Sequence, residues 1–302
     1  GFTLEPATQA EVTEHHAKRN ARPWVSLPYE ASDRIHPYDA MCSGPASDCV
    51  RMANVVGAKA ASLGLLMHPT LLGKTRDPGS WSARLGYDLV PAGVGIPFTF
   101  YRRFVDHPPN AELKKATEDL IRMAKAGERS PKELAASAER VRELFYGAEF
   151  PPGMLEAIEA EIGRALPEVG KVKIRSSANA EDMPNFDGAG LYTSFAAKVR
   201  GKKAPKGASA KEACKVEKDG VKLKVSPKTV GCAVKGVYAS LWNKRAIDER
   251  TFARLDHATA LMGIAVVGDY DAQAEIVANA VGVTPVRASR RVYGCKAAPP
   301  GG

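Results

Sequence analysis

The clearest pattern of charged and apolar positions lies in the segment 171–176. Charged and uncharged residues alternate strictly along it. Every second position is a cation (Lys171, Lys173 and Arg175), and the positions between them are Val172, Ile174 and Ser176. This period of two predicts a β-strand whose apolar face lies on a core and whose cationic face points elsewhere. The unbroken apolar run 261–267 is typical of a central strand, and 276–284 predicts a second strand that pairs with it in a hairpin.

Apolar positions three and four residues apart predict five longer helices. They cover residues 54–67, 112–126, 130–146, the segment from Pro152 and the segment after Ser226-Pro227. Ser130, followed by Pro131 and then by Glu133, forms a capping box with proline at the first helical position, a strong start signal. Residues 68–92 predict a long connection, and residues 96–105 predict a short strand that runs into a helix.

The mixture of helices and strands predicts an α/β fold, more closely an α+β fold. Residues 1–50 lack sustained periodicity and carry several prolines, so they predict an N-terminal extension or the tail of an upstream domain. The periodic segments define one domain over residues 51–284, with a lysine-rich insertion at 198–228. Residues 285–302 predict an irregular C-terminal tail.

The composition is that of an ordinary soluble protein, with 302 residues of which 44% are hydrophobic and 25% are charged. No apolar run reaches the roughly 18 residues of a membrane-spanning helix, and no signal peptide opens the chain. We therefore expect a cytoplasmic location and no membrane partner. Because the sequence starts at Gly1 rather than at a methionine, we also expect it to be a piece of a longer protein.

The cysteines are five in number and widely spread: Cys42, Cys49, Cys214, Cys232 and Cys295. Their odd number and the absence of a CxxC pair argue against a disulfide framework and against a zinc site. We expect reduced thiols with structural roles, as is usual in a cytosol. No set of metal ligands can be assigned from the sequence.

The net charge of +9 is concentrated in the lysine-rich insertion. Residues 198–224 hold nine lysines and one arginine against two glutamates and one aspartate. One hypothesis is a polyanion-binding patch, whose affinity would fall steeply with added salt. The alternative is a solvated and partly disordered insertion, which we favour because no aromatic residue interleaves to stack a base. We therefore expect no nucleic-acid partner.

Two cations are candidates for binding a phosphate group. Arg175 leads from the predicted strand into a loop of hydroxyls and glycines, and a guanidinium group binds phosphate bidentately. Lys59 lies among small residues near the start of a predicted helix, where anions are favoured. The alternatives are an ion pair from Arg175 to Glu181 or Asp182 and an exposed helix lysine at position 59. The usual nucleotide motifs GxxxxGK[ST] and GxGxxG are absent.

Four sequence blocks together resemble a known family. They are VGAKAASLG (56–64), IRSSANAEDMPNFDGAGLYTSF (174–195), GCAVKGVYASLWNKRAIDER (231–250) and MGIAVV (262–267). In this order they resemble the N-terminal ATP-binding domain of the phosphoenolpyruvate synthase and pyruvate phosphate dikinase family, over residues 54–284. The GAGLY loop is more similar to the glucan water dikinase branch than to the FAGQQET loop that is usual in the synthases.

The resemblance implies an ATP-grasp-like fold whose two lobes clamp ATP, with Mg²⁺ as a cofactor. By position, Lys59 matches the phosphate-binding lysine, Arg175 the catalytic arginine that contacts the transferred phosphate, and Thr193 the threonine that ends the glycine loop. Ser176 and Gly190 complete the expected nucleotide-binding set. In the family, ATP phosphorylates a histidine on a separate swivelling domain, which passes phosphate on to pyruvate or to a glucan.

The chain also departs from the family pattern. Residues 285–302 offer neither the glutamate nor the glutamine that bind magnesium in the family, and no TSHA-like histidine segment is present. The second lobe is therefore expected to be truncated, and this chain alone is expected to show no turnover. The alternative hypothesis is a degenerate, catalytically inactive module that is kept for nucleotide binding or for interaction.

Overall fold

The computed structural model describes residues 5–127, 130–181, 183, 186, 188, 190–199, 211, 213–219 and 222–269. The chain divides into two compact units, Gly1–Gly268 and Asp269–Gly302. All helices and strands described below belong to the first unit. The strand predicted at 276–284 and the tail predicted at 285–302 lie outside the described residues.

A five-stranded sheet forms the centre of the first unit. Its strands, in spatial order, are β1 (His36–Pro37), β2 (Gly93–Ile96), β7 (Met262–Gly268), β3 (Lys171–Ala178) and β4 (Phe195–Lys198). Every pairing among these strands is antiparallel. The apolar run at 261–267 therefore forms the central strand, as predicted. A separate hairpin consists of β5 (Lys215–Asp219) and β6 (Lys222–Ser226).

Eleven helices surround the sheet within the described residues. In chain order they are α1 (Gln9–Asn20), α2 (Ala46–Arg51), α3 (Ala53–Val56), α4 (Ala58–Leu66), α5 (Trp81–Leu85), α6 (Phe98–Val105), α7 (Ala111–Ala126), α8 (Pro131–Gly147), α9 (Met154–Ala165), α10 (Val230–Ser240) and α11 (Lys244–Phe252). The mixture of helices and sheet agrees with the predicted α/β class, and the antiparallel pairing agrees with its α+β form.

Helices cover both faces of the sheet. The larger hydrophobic cluster joins one face to α6–α10, and it includes the strand residues Val172, Ile174, Ile264 and Val266. A smaller cluster joins the opposite face to α3 and α4, and it includes Tyr38, Met41, Ala265 and Val267. The alternation predicted for β3 is confirmed, because Val172 and Ile174 are buried whereas Lys171 and Arg175 are exposed.

The helix predicted over 54–67 is broken in two at Gly57. At this residue φ is +84°, and an added Cβ would overlap the backbone carbonyl of Ser177 on β3. The close approach of the two backbones thus ends α3 and starts α4, which moves Lys59 into the first turn of a new helix. The predicted capping box at Ser130 is confirmed, with both of its hydrogen bonds to Glu133 present.

The described part of the segment before residue 51, predicted to be an N-terminal extension or the tail of an upstream domain, contains helix α1, most of helix α2 and the short strand β1. The two-residue strand β1 pairs with β2 at the edge of the sheet. Tyr38 and Met41, which follow it, are buried in the smaller cluster. Propensity did not reveal β1, because its pairing with β2, a contact between distant parts of the sequence, holds it. Likewise, the predicted connection at 68–92 contains the short helix α5, which Ser80 caps.

The structure adds two details about the lysine-rich region and the helix that follows it. The helix after Ser226-Pro227 begins at Val230, and its cap is Thr229, whose side chain accepts a hydrogen bond from the Cys232 backbone N–H. Part of the insertion, expected to be solvated and partly disordered, forms the β5–β6 hairpin, because Val216, Leu223 and Val225 pack on the larger cluster.

The expectation of reduced cysteines is wrong for four of the five residues. Cys42 forms a disulfide with Cys49, and Cys214 forms one with Cys232, with Cα–Cα distances of 5.3 and 5.5 Å. The second bond ties the hairpin region to the first turn of α10. Sequence spacing could not reveal this pair, because the packing of the hairpin brings the two residues together. Cys295 lies outside the described residues.

Within the described ranges, no helix is long and apolar enough to cross a membrane.

Candidate functional site

An ion pair between Lys59 and Glu181 marks the candidate site. The Lys59 Nζ lies 2.6 Å from Oε1 of Glu181 and 3.4 Å from the Ser176 Oγ. The Glu181 side chain is 1% exposed and that of Lys59 is 34% exposed. The second carboxylate oxygen, Oε2, accepts the backbone N–H of Ala178 at 2.9 Å. Glu181 therefore fixes the lysine ammonium beside the end of β3 while leaving it accessible.

Helix α4 is attached to β3 at the same place. The Ser177 Oγ accepts the backbone N–H of Ala60 at 3.1 Å, which satisfies one of the free amide groups of the first helical turn. Gly57 packs against the Ser177 backbone directly before this turn. The two hydroxyls predicted to follow the strand thus have separate roles, because Ser176 contacts Lys59 and Ser177 anchors the helix.

Arg175 extends from the strand directly before these hydroxyls. Its side chain is exposed, and among the described residues no ion pair or hydrogen bond of the guanidinium is present. Burial raises the pKa of Tyr38, and the Arg175 charge opposes that shift, so the guanidinium lies within electrostatic range of the face that α3 and α4 cover. The structural ion pair to Glu181, one of the sequence alternatives, is not formed, because Glu181 binds Lys59 instead. Asp182 lies outside the described residues.

We use the term glycine loop for Gly188 and residues 190–193 of the described chain. Gly188 is buried against Glu181, because an added Cβ would lie 2.9 Å from the Ala180 carbonyl oxygen and 3.0 Å from the Glu181 Cγ. Gly190 is exposed and has a φ of +72°. Thr193 is half-buried, and no hydrogen bond joins it to Lys59 or Arg175 within the described chain. The structure thus brings the base of the loop, at Gly188, to the ion pair.

The glycine loop is hydrogen-bonded to residues at the junction of α10 and α11 and in α11. The Asn243 Nδ2 donates to the Leu191 carbonyl at 2.6 Å, and Arg250 Nη1 donates to the Tyr192 hydroxyl at 3.2 Å. Arg250 is 0% exposed, although the sequence analysis gave it no role. Its place in the matching block 231–250 is the one signal that could have singled it out.

Burial is the largest cause of the pKa shifts of the titratable side chains next to the glycine loop. It raises the pKa of Tyr192, while the Arg250 charge lowers it and the Glu181 charge raises it. Burial, followed by the Arg250 charge, lowers the pKa of His257 to about 3. His257 is therefore neutral at physiological pH, and its Nδ1 accepts a hydrogen bond from the Arg250 Nε at 3.2 Å.

No group of three or more His, Cys, Asp or Glu side chains lies close enough together in the described chain to hold a metal ion. The Glu181 carboxylate is engaged by Lys59 and by the Ala178 N–H.

Comparison with known proteins identifies a matching family and several relatives. The family described as the pyruvate phosphate dikinase AMP/ATP-binding domain matches residues 53–285, which include both candidate cations and the glycine loop. Phosphoenolpyruvate synthase from Aeropyrum pernix is 30% identical over 199 residues, 62% of this chain. The synthase from Aquifex aeolicus is 30% identical over 204 residues, also 62% of this chain, and that from Neisseria meningitidis is 28% identical over 214 residues, 69% of this chain.

The chain is much shorter than these relatives. The matches span 20%, 20% and 21% of the three synthases, so the chain corresponds to about one fifth of their length.

Proposed function

This chain belongs to the family of the pyruvate phosphate dikinase AMP/ATP-binding domain, and we propose that Lys59 and Arg175 bind the phosphate groups of ATP between helix α4 and strand β3. The observation that carries the proposal is the attachment of the first turn of α4 to β3, where the Ala60 N–H donates to the Ser177 Oγ at 3.1 Å. Lys59 directly precedes Ala60 in that turn, and Arg175 lies two residues before Ser177 and therefore on the same face of β3. The helix that carries the ammonium thus packs on the face of the strand that carries the guanidinium.

The two cations have different tasks in this proposal. Lys59 is oriented by Glu181 and acts as a compact charge, whereas Arg175 is exposed and offers a planar fork of N–H donors. The first turn of α4 contributes partial positive charge to the same region. Ser176 and the loop residues Gly190 and Thr193 are proposed to supply the remaining phosphate contacts. Phosphoryl transfer depends mainly on positioning and on charge neutralisation, so these residue types suit it.

We further propose that residues 51–284 form one ATP-grasp-like domain of a longer phosphotransferase. In that protein, a nitrogen of a histidine on another domain would form a bond to phosphorus while the bond from phosphorus to the nucleotide leaving oxygen breaks. Arg175, as the catalytic residue, would neutralise the charge on the transferred group. The final acceptor, pyruvate or a glucan, is not part of this proposal.

Calorimetric titration of the chain with ATP, with and without added Mg²⁺, tests the nucleotide site. We expect Arg175→Ala and Lys59→Met each to weaken ATP binding by about tenfold, since a hydrogen bond to a charged group contributes about 1.5–3 kcal/mol. Arg140→Ala and Lys114→Met are matched controls, because both residues form surface ion pairs on other helices. Equal affinity in all five proteins would contradict the proposal.

A longer protein that includes the histidine domain tests phosphoryl transfer. Radiolabelled ATP should give an acid-labile, base-stable phosphoprotein, and Arg175→Ala should reduce the rate of labelling. Tight ATP binding without any labelling would instead favour the alternative of a catalytically inactive nucleotide-binding module.

A further inference from the structure

Arg250 is fully buried and pairs with no acidic side chain in the part of the chain that the structure describes. Its guanidinium donates to the Leu241 carbonyl at 2.9 Å, to the Tyr192 hydroxyl at 3.2 Å and to the His257 Nδ1 at 3.2 Å. The guanidinium also lies 5.6 Å from the centre of the Trp242 ring. All of these partners are neutral, and among the described residues no carboxylate pairs with Arg250. Burying a charge in this way is costly unless its hydrogen bonds are well satisfied.

The surroundings offset part of this cost. Leu241 is the C-cap of α10, and free carbonyls at a helix C-terminus carry partial negative charge that favours a cation. His257 is fixed as an acceptor towards Arg250, because its other ring nitrogen lies 3.0 Å from the Thr251 hydroxyl, which donates to the Ile247 carbonyl. The Arg250 guanidinium therefore has hydrogen-bond partners at the end of α10 and in the residues after α11. Its remaining hydrogen bond goes to Tyr192 of the glycine loop.

A second tether reaches the loop from the same junction. The Asn243 Nδ2 donates to the Leu191 carbonyl at 2.6 Å and to the Ser240 carbonyl at 2.8 Å. The Asn243 Oδ1 accepts the Ala246 backbone N–H and so caps α11. Two consecutive loop residues, one through its backbone and one through its side chain, are thus bound to rigid helical elements. The opposite end of the loop packs on Glu181 through Gly188.

We propose that Arg250 and Asn243 are positioning residues, which hold the glycine loop in the conformation that receives the phosphate groups of the nucleotide. The proposal rests on the proposed nucleotide site and adds to it the means by which the loop is placed. Neither residue contacts the phosphates. Arg250 acts through the Tyr192 hydroxyl, and Asn243 acts through the Leu191 carbonyl.

Two substitutions test the tethers separately. Tyr192→Phe removes only the hydroxyl that Arg250 binds, and Asn243→Asp keeps the capping oxygen of α11 but removes both N–H donors. Tyr146→Phe is a matched control, because the Tyr146 hydroxyl accepts a hydrogen bond from Arg142 at 3.3 Å on α8. The control thus removes the same kind of arginine–tyrosine hydrogen bond at a place outside the loop.

The affinities for ATP and AMP and the hydrogen exchange of the loop amides are measured for the three variants and the unaltered chain. We expect Tyr192→Phe and Asn243→Asp each to weaken ATP binding by about tenfold, to weaken AMP binding less, and to speed amide exchange at residues 190–193. Tyr146→Phe should match the unaltered chain in all three measurements. Merely structural tethers would lower the melting temperature without changing the ratio of ATP to AMP affinity.

The outcomes separate the two proposals. If the unaltered chain does not bind ATP, the proposed nucleotide site fails, and the exchange measurement still decides whether the two residues hold the loop. If the unaltered chain binds ATP and both variants bind it equally well with unchanged exchange, the positioning role is overturned while the nucleotide site stands.

Discussion

The ammonium of Lys59 and the carboxylate of Glu181 form an ion pair of 2.6 Å in which only the lysine is accessible to solvent. Because the Ala178 N–H holds the second oxygen of Glu181, the carboxylate cannot turn away without losing a backbone hydrogen bond. A phosphate group that approaches Lys59 therefore meets a cation whose position is already fixed, which lowers the ordering cost of binding.

Replacing Glu181 by glutamine should destabilise the fold. Glutamine can still accept the Ala178 N–H, but Lys59 loses its opposite charge in a mostly buried setting. Because Lys59 is one third exposed, we expect a loss of about 1–2 kcal/mol in the free energy of unfolding, less than for a fully buried pair. Urea denaturation measures this loss in the free energy of unfolding. Glu161→Gln, which breaks a surface ion pair on α9, is the control. Equal losses in both variants would contradict the assigned role of Glu181.

Arg175→Ala should leave stability nearly unchanged while it weakens nucleotide binding. The side chain is exposed and makes no ion pair among the described residues, so its loss should change the free energy of unfolding by less than about 0.5 kcal/mol. Denaturation and ATP titration on the same sample check both parts. A large loss of stability would show that the guanidinium is structural.

Gly188→Ala should disturb the base of the glycine loop. The new Cβ would lie 2.9 Å from the Ala180 carbonyl and 3.0 Å from the Glu181 Cγ. Overpacking of this kind costs about 1–3 kcal/mol. Gly147→Ala is the matched control, since no atom lies within 4 Å of the position of its added Cβ. Thermal denaturation should separate the two variants, and equal melting temperatures would contradict the close packing of Gly188.

Removing the Cys214–Cys232 disulfide should lower stability more than removing the Cys42–Cys49 disulfide. The sequence separations are 18 and 7 residues, and the longer loop loses more chain entropy when it is closed in the unfolded state. In the chain-entropy description the two bonds contribute about 3 and about 2 kcal/mol. Denaturation of the two double cysteine-to-alanine variants gives the order directly. A reductant that fails to destabilise the unaltered chain would contradict both disulfides.

The neutral, buried His257 should make stability fall in acid. Above pH ~6.5 the imidazole is uncharged in both states and contributes no pH dependence. Below that value the unfolded chain takes up a proton that the folded chain refuses until pH about 3, so the free energy of unfolding falls across this window. His257→Asn should flatten the dependence between pH 6.5 and 4, the part of the window least affected by carboxylates. Parallel pH curves for the two proteins would contradict the lowered pKa.

Local patterns predicted those elements that depend on neighbours in the sequence. The alternation of β3 and the capping box at Ser130 were both confirmed, because each signal is complete within a few residues. The break at Gly57 was not predictable in this way, since it results from contact with Ser177, which is 120 positions away. Disulfide pairing of Cys214 with Cys232 likewise depends on how the hairpin packs.

The candidate site likewise combines features that could be predicted from the sequence with features that could not. Lys59 and Ser176 were selected by resemblance, and the structure brings them into contact. The choice of Glu181 as the partner of Lys59 rather than of Arg175 depends on which side chain reaches the carboxylate in three dimensions. The burial of Arg250 could not be predicted either. The sequence shows only that this segment is rich in basic residues, and nothing in it indicates which of them faces the interior.

The central position of β7 also has a consequence for the order in which the chain assembles. This strand lies between β2 and β3, yet it is the last strand of the described chain. A ribosome-bound or truncated chain that stops before Met262 therefore cannot join the two parts of the sheet, and Arg175 then has no neighbouring strand on that side. Contacts between residues that are far apart in the sequence slow folding. Strand β3, which carries the Arg175 guanidinium, therefore gains its neighbour β7 only late in synthesis.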